Sequence, residues 1–300
     1  MSAPEIRFPN IGPNGLHINK LSPDAFSLFG LDIKWYGIIV CAAIFTGLLV
    51  GLREARKSGQ DTDLYFNYFF YAVVSAILGA RAYYVIFSWD EYRHDLIKVF
   101  AFREGGLAIY GAIIAITAAA VIFTKVKKYN FWLFADTGVF GLMIGQAIGR
   151  YGNFFNREAF GGYTSSLLAM QYRLDTVHMG VTENIRANLA EYGGAKYIQV
   201  HPAFLYESIW SVILFIGLQF YKKHKAFDGE VFLLYLFGYG FGRFWIEGLR
   251  TDQLKFFGTN VAVSQALSAA LVVFAASTIV IKRVLKKKRE RDNTVKIFEE

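Results

Sequence analysis

Seven stretches of the chain, 35–52, 64–80, 105–124, 131–149, 202–221, 231–249 and 261–281, are almost continuously apolar. Each is close to the about 20 residues that carry a helix across a bilayer's hydrocarbon core. Four of them hold no charge at all; 131–149 holds only Asp136, 202–221 only Glu207, and 231–249 holds Arg243 and Glu247. Lipid leaves a backbone polar group no outside partner, so such stretches have to be helices. Composition agrees, with 54% hydrophobic and only 19% charged residues, too apolar for a soluble chain of this size. The expected fold is an all-α integral membrane protein of seven transmembrane helices forming one membrane domain over 1–300. The segment ahead of the first stretch contains Glu5, Asp24 and Asp32 and lacks a short basic start, so the first stretch is expected to remain as a helix. The single cysteine, Cys41, excludes an intramolecular disulfide and a cysteine metal cluster; it is expected to be a packing residue of the first helix.

Orientation follows from lysine and arginine. The segments after the first, third, fifth and seventh stretches hold seventeen of them, eight in the basic tail 282–300, and alternation puts all four on one side. The other side holds thirteen, spread over many more residues. The N-terminus is therefore expected outside and the C-terminus in the cytoplasm. The tail is expected to act as an orientation signal beside anionic lipid, and no nucleic-acid role is expected. The long polar segment 150–201 should form a small external subdomain between helices 4 and 5, with short strands near 169–173 and 197–200.

A charge within a span costs about 2.5 to 3.5 kcal/mol on insertion scales and needs a partner or a polar cavity. Arg81, Asp136, Glu207, Arg243 and Glu247 stand in or near spans, and Arg150 at the outer end of the fourth. Gly141, Gly145 and Gly149 recur every four residues, as do Gly238 and Gly242, and such faces let helices approach closely. Gln146 and Arg150 are also four apart. The chain then runs Gly149-Arg150-Tyr151-Gly152-Asn153-Phe154-Phe155-Asn156-Arg157-Glu158-Ala159-Phe160-Gly161-Gly162, dense in donors and acceptors just outside the hydrocarbon. In the sixth stretch Tyr235, Tyr239, Arg243 and Glu247 form a polar stripe in which Arg243 and Glu247 can pair. Two arginines at similar depth on different helices suggest an anion site, because guanidinium forks match phosphate oxygens. In the outer leaflet the available anion is a phospholipid headgroup.

The run from Gly149 to Gly162 resembles the signature of the prolipoprotein diacylglyceryl transferase family. Other pieces fall in family order: Trp35-Tyr36-Gly37, Arg103-Glu104-Gly105-Gly106-Leu107, Ala135-Asp136, Gly145-Gln146, His201-Pro202-Ala203-Phe204-Leu205-Tyr206-Glu207, then Tyr239, Arg243, Glu247 and Arg250. The likeness covers about 25–285. It implies a seven-helix bundle in the bacterial inner membrane with its active site facing the outer side. The implied activity is transfer of a diacylglyceryl group from phosphatidylglycerol to the lipobox cysteine of a prolipoprotein, releasing glycerol phosphate. Carried over, the family's essential signature residues fall on Arg150 and Asn153, with Asn156, Glu158 and Gly161 after them; its helix-6 group falls on Tyr239, Arg243 and Glu247, and its helix-1 tyrosine on Tyr36. Many members carry a histidine, proposed as a general base, where this chain has Tyr110. The proline expected after Ala135-Asp136 is missing, replaced within Thr137-Gly138-Val139-Phe140.

Sulfur displacing a phosphate ester at a glycerol carbon needs a thiolate and stabilisation of charge growing on phosphate. Arg150 and Arg243 are expected to clamp the phosphate, Asn153 and Asn156 to orient headgroup or peptide, and Glu247 to hold Arg243. Tyr110 and His201 are rival proton acceptors, and arginine-rich surroundings alone could favour the thiolate. His17, His94, His178 and His224 lack ligand spacing, so neither metal nor cofactor is expected. A secondary transporter or lipid-binding channel would also bury arginines and break helices at glycine, but the seven unequal stretches show no paired repeat.

Overall fold

The computed structural model describes residues 5–102, 105–256, 259 and 261–299, with side chains described through 292. The chain is mostly helical. Seven long helices match the seven apolar stretches: α1 (Trp35–Lys57), α2 (Thr62–Phe87), α4 (Ile109–Val126), α5 (Phe131–Asn156), α7 (Ala203–Tyr221), α8 (Glu230–Leu249) and α9 (Val263–Glu299). Two short ones, α3 (Trp89–Tyr92) and α6 (Glu183–Ala187), lie between them. Among the described residues six helices are long and apolar enough to cross a membrane, which makes this a multi-pass membrane protein. The exception is α8, where Arg243, Glu247 and four glycines dilute the apolar content. Large side chains such as Phe45, Leu49, Phe70 and Ile122 stand exposed on the helices, as lipid-facing residues must. Cys41 is exposed on α1, so the expectation that it packs inside is corrected.

The ends of several elements differ from the apolar runs. Positive φ at Gly105 and Gly106 delays α4 until Ile109. Past residue 281 the helix α9 continues with polar residues, so the basic tail is helical through Glu299. Arg283 Nε donates to the fully buried Glu230 at 2.6 Å and Lys286 Nζ to the Ala226 carbonyl at 2.6 Å, tying that continuation to the start of α8.

Among the described residues there are seven strands, five of them beyond the two expected. β5 (Met170–Arg173) and β7 (Ala195–Val200) occupy the two expected strand positions, and β6 (Ala190–Tyr192) joins them. They are completed by β1 (Ile6–Phe8) and β2 (Leu16–Ile18) from the N-terminal segment, in the antiparallel order β2-β1-β5-β7-β6. The expected subdomain 150–201 is therefore not self-contained. One face of this sheet, with Ile6, Phe8, Met170, Tyr172, Ile198 and Val200, packs on Phe154, Phe160 and Phe204, and each such side chain contributes about 1.5 to 3 kcal/mol on full burial. A hairpin of β3 (Asp24–Leu28) and β4 (Leu31–Lys34) leads into α1.

Two compact units divide the chain, one from residues up to Gly47 and from Gly141 onward, the other Leu48–Phe140. In the first, the small-residue faces do what their spacing predicts. A Cβ on Gly47 would stand 2.9 Å from the Gly141 carbonyl oxygen, and one on Gly242 2.0 Å from Trp210 Nε1. The α1–α5 contact thus approaches at backbone distance, while on α8 the missing side chain of Gly242 leaves room for the Trp210 indole of α7. In the second, α2 and α4 cross at Gly79 and Gly111, where a Cβ on Gly111 would meet the Gly79 oxygen at 2.2 Å. The buried Arg81 there donates to the carbonyls of Val99 and Gly105 at 2.8 Å, of Gly106 at 3.1 Å, and of Lys98. Its in-span charge is met by backbone acceptors of the following loop.

Candidate active site

Glu207, in the second turn of α7, is the centre of the charged cluster. The carboxylate is 6% exposed and presents one oxygen to each of two helices. Arg150 Nη2 of α5 lies 2.7 Å from Oε2, and Arg243 Nη1 of α8 lies 2.8 Å from Oε1. Arg243 Nη2 also contacts Glu247 Oε2 one turn on. Beyond the end of α8, Arg250 forks onto Asp252 at 2.9 and 2.7 Å, while its Nη1 stands 4.0 Å from Glu207 and 3.9 Å from Glu247. Three guanidiniums face three carboxylates, so the charge is balanced, which low-dielectric surroundings demand. Burial would raise the Asp252 carboxyl, but the hydrogen bond and charge of Arg250 outweigh it and hold it below the usual carboxylate range.

Gln146, Trp210, Ser211, Tyr239 and Ile246 complete the lining of a cleft around Arg150, Glu207 and Arg243. It encloses about 10 Å³, room for about one water. Gln146 Nε2 donates to Tyr235 at 2.8 Å, and its Oε1 is buried without a hydrogen-bond partner. Tyr239 stacks on Tyr235 with centroids 5.6 Å apart, so the expected stripe along α8 is a continuous wall from tyrosine to Glu247.

The signature run does three further things. Asn153 and Asn156 both donate to Glu158 Oε1, at 3.1 and 3.3 Å, so the three form one small cluster at the end of α5. Arg157 and Ala159 have φ of 55° and 58°, a left-handed conformation that costs a non-glycine residue energy and persists only where surroundings hold it. Arg157 is held: buried, it binds Glu5 and the Leu21 carbonyl at 2.6 Å. Gly161 and Gly162 then stitch the run to two helix ends. Gly161 N donates to the His201 carbonyl at 3.0 Å, His201 N to that of Gly162 at 3.0 Å, and Gly162 N to that of Leu249 at 2.9 Å. The start of α7 and the exit of α8, hence Glu207 and Arg243, are positioned through these glycines. Tyr36, at the start of α1, lies against Gly152, where a Cβ would come 2.8 Å from its ring.

The structure therefore brings Arg150, Arg243 and Tyr239 to one cleft, pairs Glu247 with Arg243 beside it, and groups Asn153, Asn156 and Glu158 separately. His201 sits at the start of α7 with Nδ1 3.2 Å from the Tyr206 hydroxyl, and burial lowers its imidazole below the ordinary value. Tyr110 belongs to the second unit, in the first turn of α4. Arg103 and Glu104 lie outside the described residues. Glu207 joins the site beyond the residues expected there, and the signal that marks it is that it is the sole charge of its span. Among the described residues no group of three or more His, Cys, Asp and Glu is placed to hold a metal ion.

A model of the prolipoprotein diacylglyceryl transferase family matches residues 23–281. The chain is 40% identical over 270 residues to the phosphatidylglycerol--prolipoprotein diacylglyceryl transferase of Listeria innocua, covering 90% of this chain and 93% of that one. It is 39% identical over 270 residues to the protein of the same name from Listeria monocytogenes, with the same coverage. For the Clostridioides difficile protein of that name the identity is 41% over 230 residues, 77% of this chain and 84% of the other. With the match spanning α1 to α9 and including every residue of the charged cleft, the chain belongs to the prolipoprotein diacylglyceryl transferase family.

Proposed function

We propose that this protein transfers the diacylglyceryl group of phosphatidylglycerol to the thiol of the lipobox cysteine of prolipoproteins, releasing glycerol phosphate. The observation that carries the reading is the convergence of Arg150 and Arg243, from two helices, on the two oxygens of one anionic group. A phosphodiester presents the same two-oxygen face. In the reaction a carbon–sulfur bond forms at the glycerol carbon that bore the phosphate. The carbon–oxygen bond breaks with its electron pair going to the phosphate, and the thiol proton passes to a base. The two guanidiniums take up the charge that grows on the departing phosphate. Glu247 orients Arg243, and Asn153, Asn156 and Glu158 orient headgroup or peptide. The proton acceptor is Tyr110, His201 or neither, the arginines then favouring the thiolate without a dedicated base; transfer by Tyr110→Phe and His201→Gln variants distinguishes the three.

Seven spans are proposed, with α8 as the seventh: its charges are paired inside rather than turned to lipid. The distribution of lysine and arginine supports an outside N-terminus and a cytoplasmic C-terminus. Arg150 lies near the exit of α5, Glu207 near the start of α7 and Arg243 near the exit of α8. All three helix ends adjoin residues 150–201 or 250–262, which supports a cleft on the outer side of a bacterial cytoplasmic membrane. The test is incubation of the purified protein with phosphatidylglycerol and a lipobox peptide, read by mass spectrometry. A mass gain of one diacylglyceryl group is expected; no gain under conditions where the protein is folded in lipid returns the reading to a lipid-binding or transport role.

A further inference from the structure

Glu207 sits where an incoming phosphate has to go. Its two oxygens saturate the facing nitrogens of Arg150 and Arg243 at 2.7 and 2.8 Å, and the cleft in front leaves about 10 Å³, far short of a headgroup. A phosphodiester carries the same single charge on the same two-oxygen face, so it competes with Glu207 for these two nitrogens. A released carboxylate cannot be left buried and unpaired either. Arg250 is at hand: two of its nitrogens hold Asp252, and the third, Nη1, stands 4.0 Å from Glu207 Oε1.

We infer that Glu207 is a positioning residue that stands in for the lipid phosphate in the empty site. Headgroup binding is an anion exchange: the phosphodiester displaces Glu207 from Arg150 and Arg243, Arg250 receives the carboxylate, and product departure reverses the swap. No covalent bond changes in the exchange. Its use lies in release. Glycerol phosphate, a monoester, carries about 1.5 to 2 negative charges at neutral pH, and the two guanidiniums without Glu207 would bind it more tightly than the substrate. A competing carboxylate at the same two arginines prevents that.

This inference rests on the transferase reading, and the test separates the two. The full-length protein in lipid nanodiscs is assayed as wild type, Glu207→Gln, Glu207→Asp, Arg250→Gln and the double variant E207Q/R250Q. Turnover gives kcat and KM for phosphatidylglycerol, and calorimetry gives glycerol phosphate affinity. In Glu207→Gln, KM and the glycerol phosphate Kd are both expected to fall about threefold to tenfold, with kcat falling because release slows. Glu207→Asp keeps the charge but is too short to span both arginines, so it shifts both constants the same way by less. Arg250→Gln raises KM in the wild-type background and has no further effect on E207Q, which has no displaced carboxylate to receive. Weaker glycerol phosphate binding in both Glu207 variants, at unchanged melting temperature, overturns the exchange, as does an equal effect of Arg250→Gln in both backgrounds. If Glu207→Gln does not fold, the sign of the Glu207→Asp shift decides. Absence of any diacylglyceryl product from the wild type counts against the transferase reading alone, since glycerol phosphate calorimetry still tests the exchange.

Discussion

Arg150 Nη2 and Glu207 Oε2 lie 2.7 Å apart across α5 and α7, and this contact joins the signature run to the helix that follows the polar segment. Arg150 is the one cation within α5, and Glu207 the sole charge in α7, so each charge is met from another helix. Through Arg243 the same carboxylate reaches α8, so one buried side chain ties three helices together at the cleft, in the register that the backbone contacts of Gly161 and Gly162 hold.

Gly161 is the backbone counterpart of that register. A Cβ there would stand 2.7 Å from His201 Cβ and 3.0 Å from the Leu249 oxygen, and neither neighbour is the free end of a flexible side chain. Gly161→Ala is expected to cost about 1 to 3 kcal/mol and to lower transfer by displacing both helix ends. Thermal melting in detergent together with a transfer assay checks this; an unchanged melting temperature with full turnover contradicts it.

Arg157 ties the signature run to the N-terminal strands through Glu5 and the Leu21 carbonyl. Losing one member of a buried pair costs about 3 to 5 kcal/mol, and the lower end applies because Glu5 is partly exposed. In Arg157→Ala, protease cleavage within residues 5–21 is expected to accelerate before any cleavage in the helices. Equal cleavage rates in variant and wild type would mean that the strands are held by the sheet alone.

Burial lowers the His201 imidazole, so the unfolded chain binds the proton more readily than the folded one. The stability contributed by neutral His201 is then fully present above the unfolded value of about 6.5 and is lost as pH falls below it toward the folded value. The effect is modest, since His201 is only half-buried. Melting temperature measured across this range should drop more on acidification in wild type than in His201→Gln; parallel curves count against the assignment.

The seven long helices were legible because a bilayer demands long apolar runs, and the close-packing glycines because the helical repeat puts every fourth residue on one face. Strands β5 and β7 were legible as short alternating segments within a polar block. β1 and β2 were not: three residues are too few to show alternation, and Ile6 pairs with Tyr172, a partner far along the chain. Arg150, Arg243 and Glu247 were legible as charges where charges are costly. That Glu207 lies between two of them was not, because the register between α5, α7 and α8 is set by Gly161, Gly162 and the Gly242–Trp210 contact, none of which states a distance in sequence.

The most direct measurement is diacylglyceryl transfer from phosphatidylglycerol to a lipobox peptide by Arg150→Ala, Arg243→Ala and the double variant, each verified as folded. If both guanidiniums hold one phosphate, each single change lowers kcat/KM by about 100- to 1000-fold, and the double change costs far less than the product of the two. Turnover within about twofold of wild type in either folded single variant contradicts the phosphate clamp.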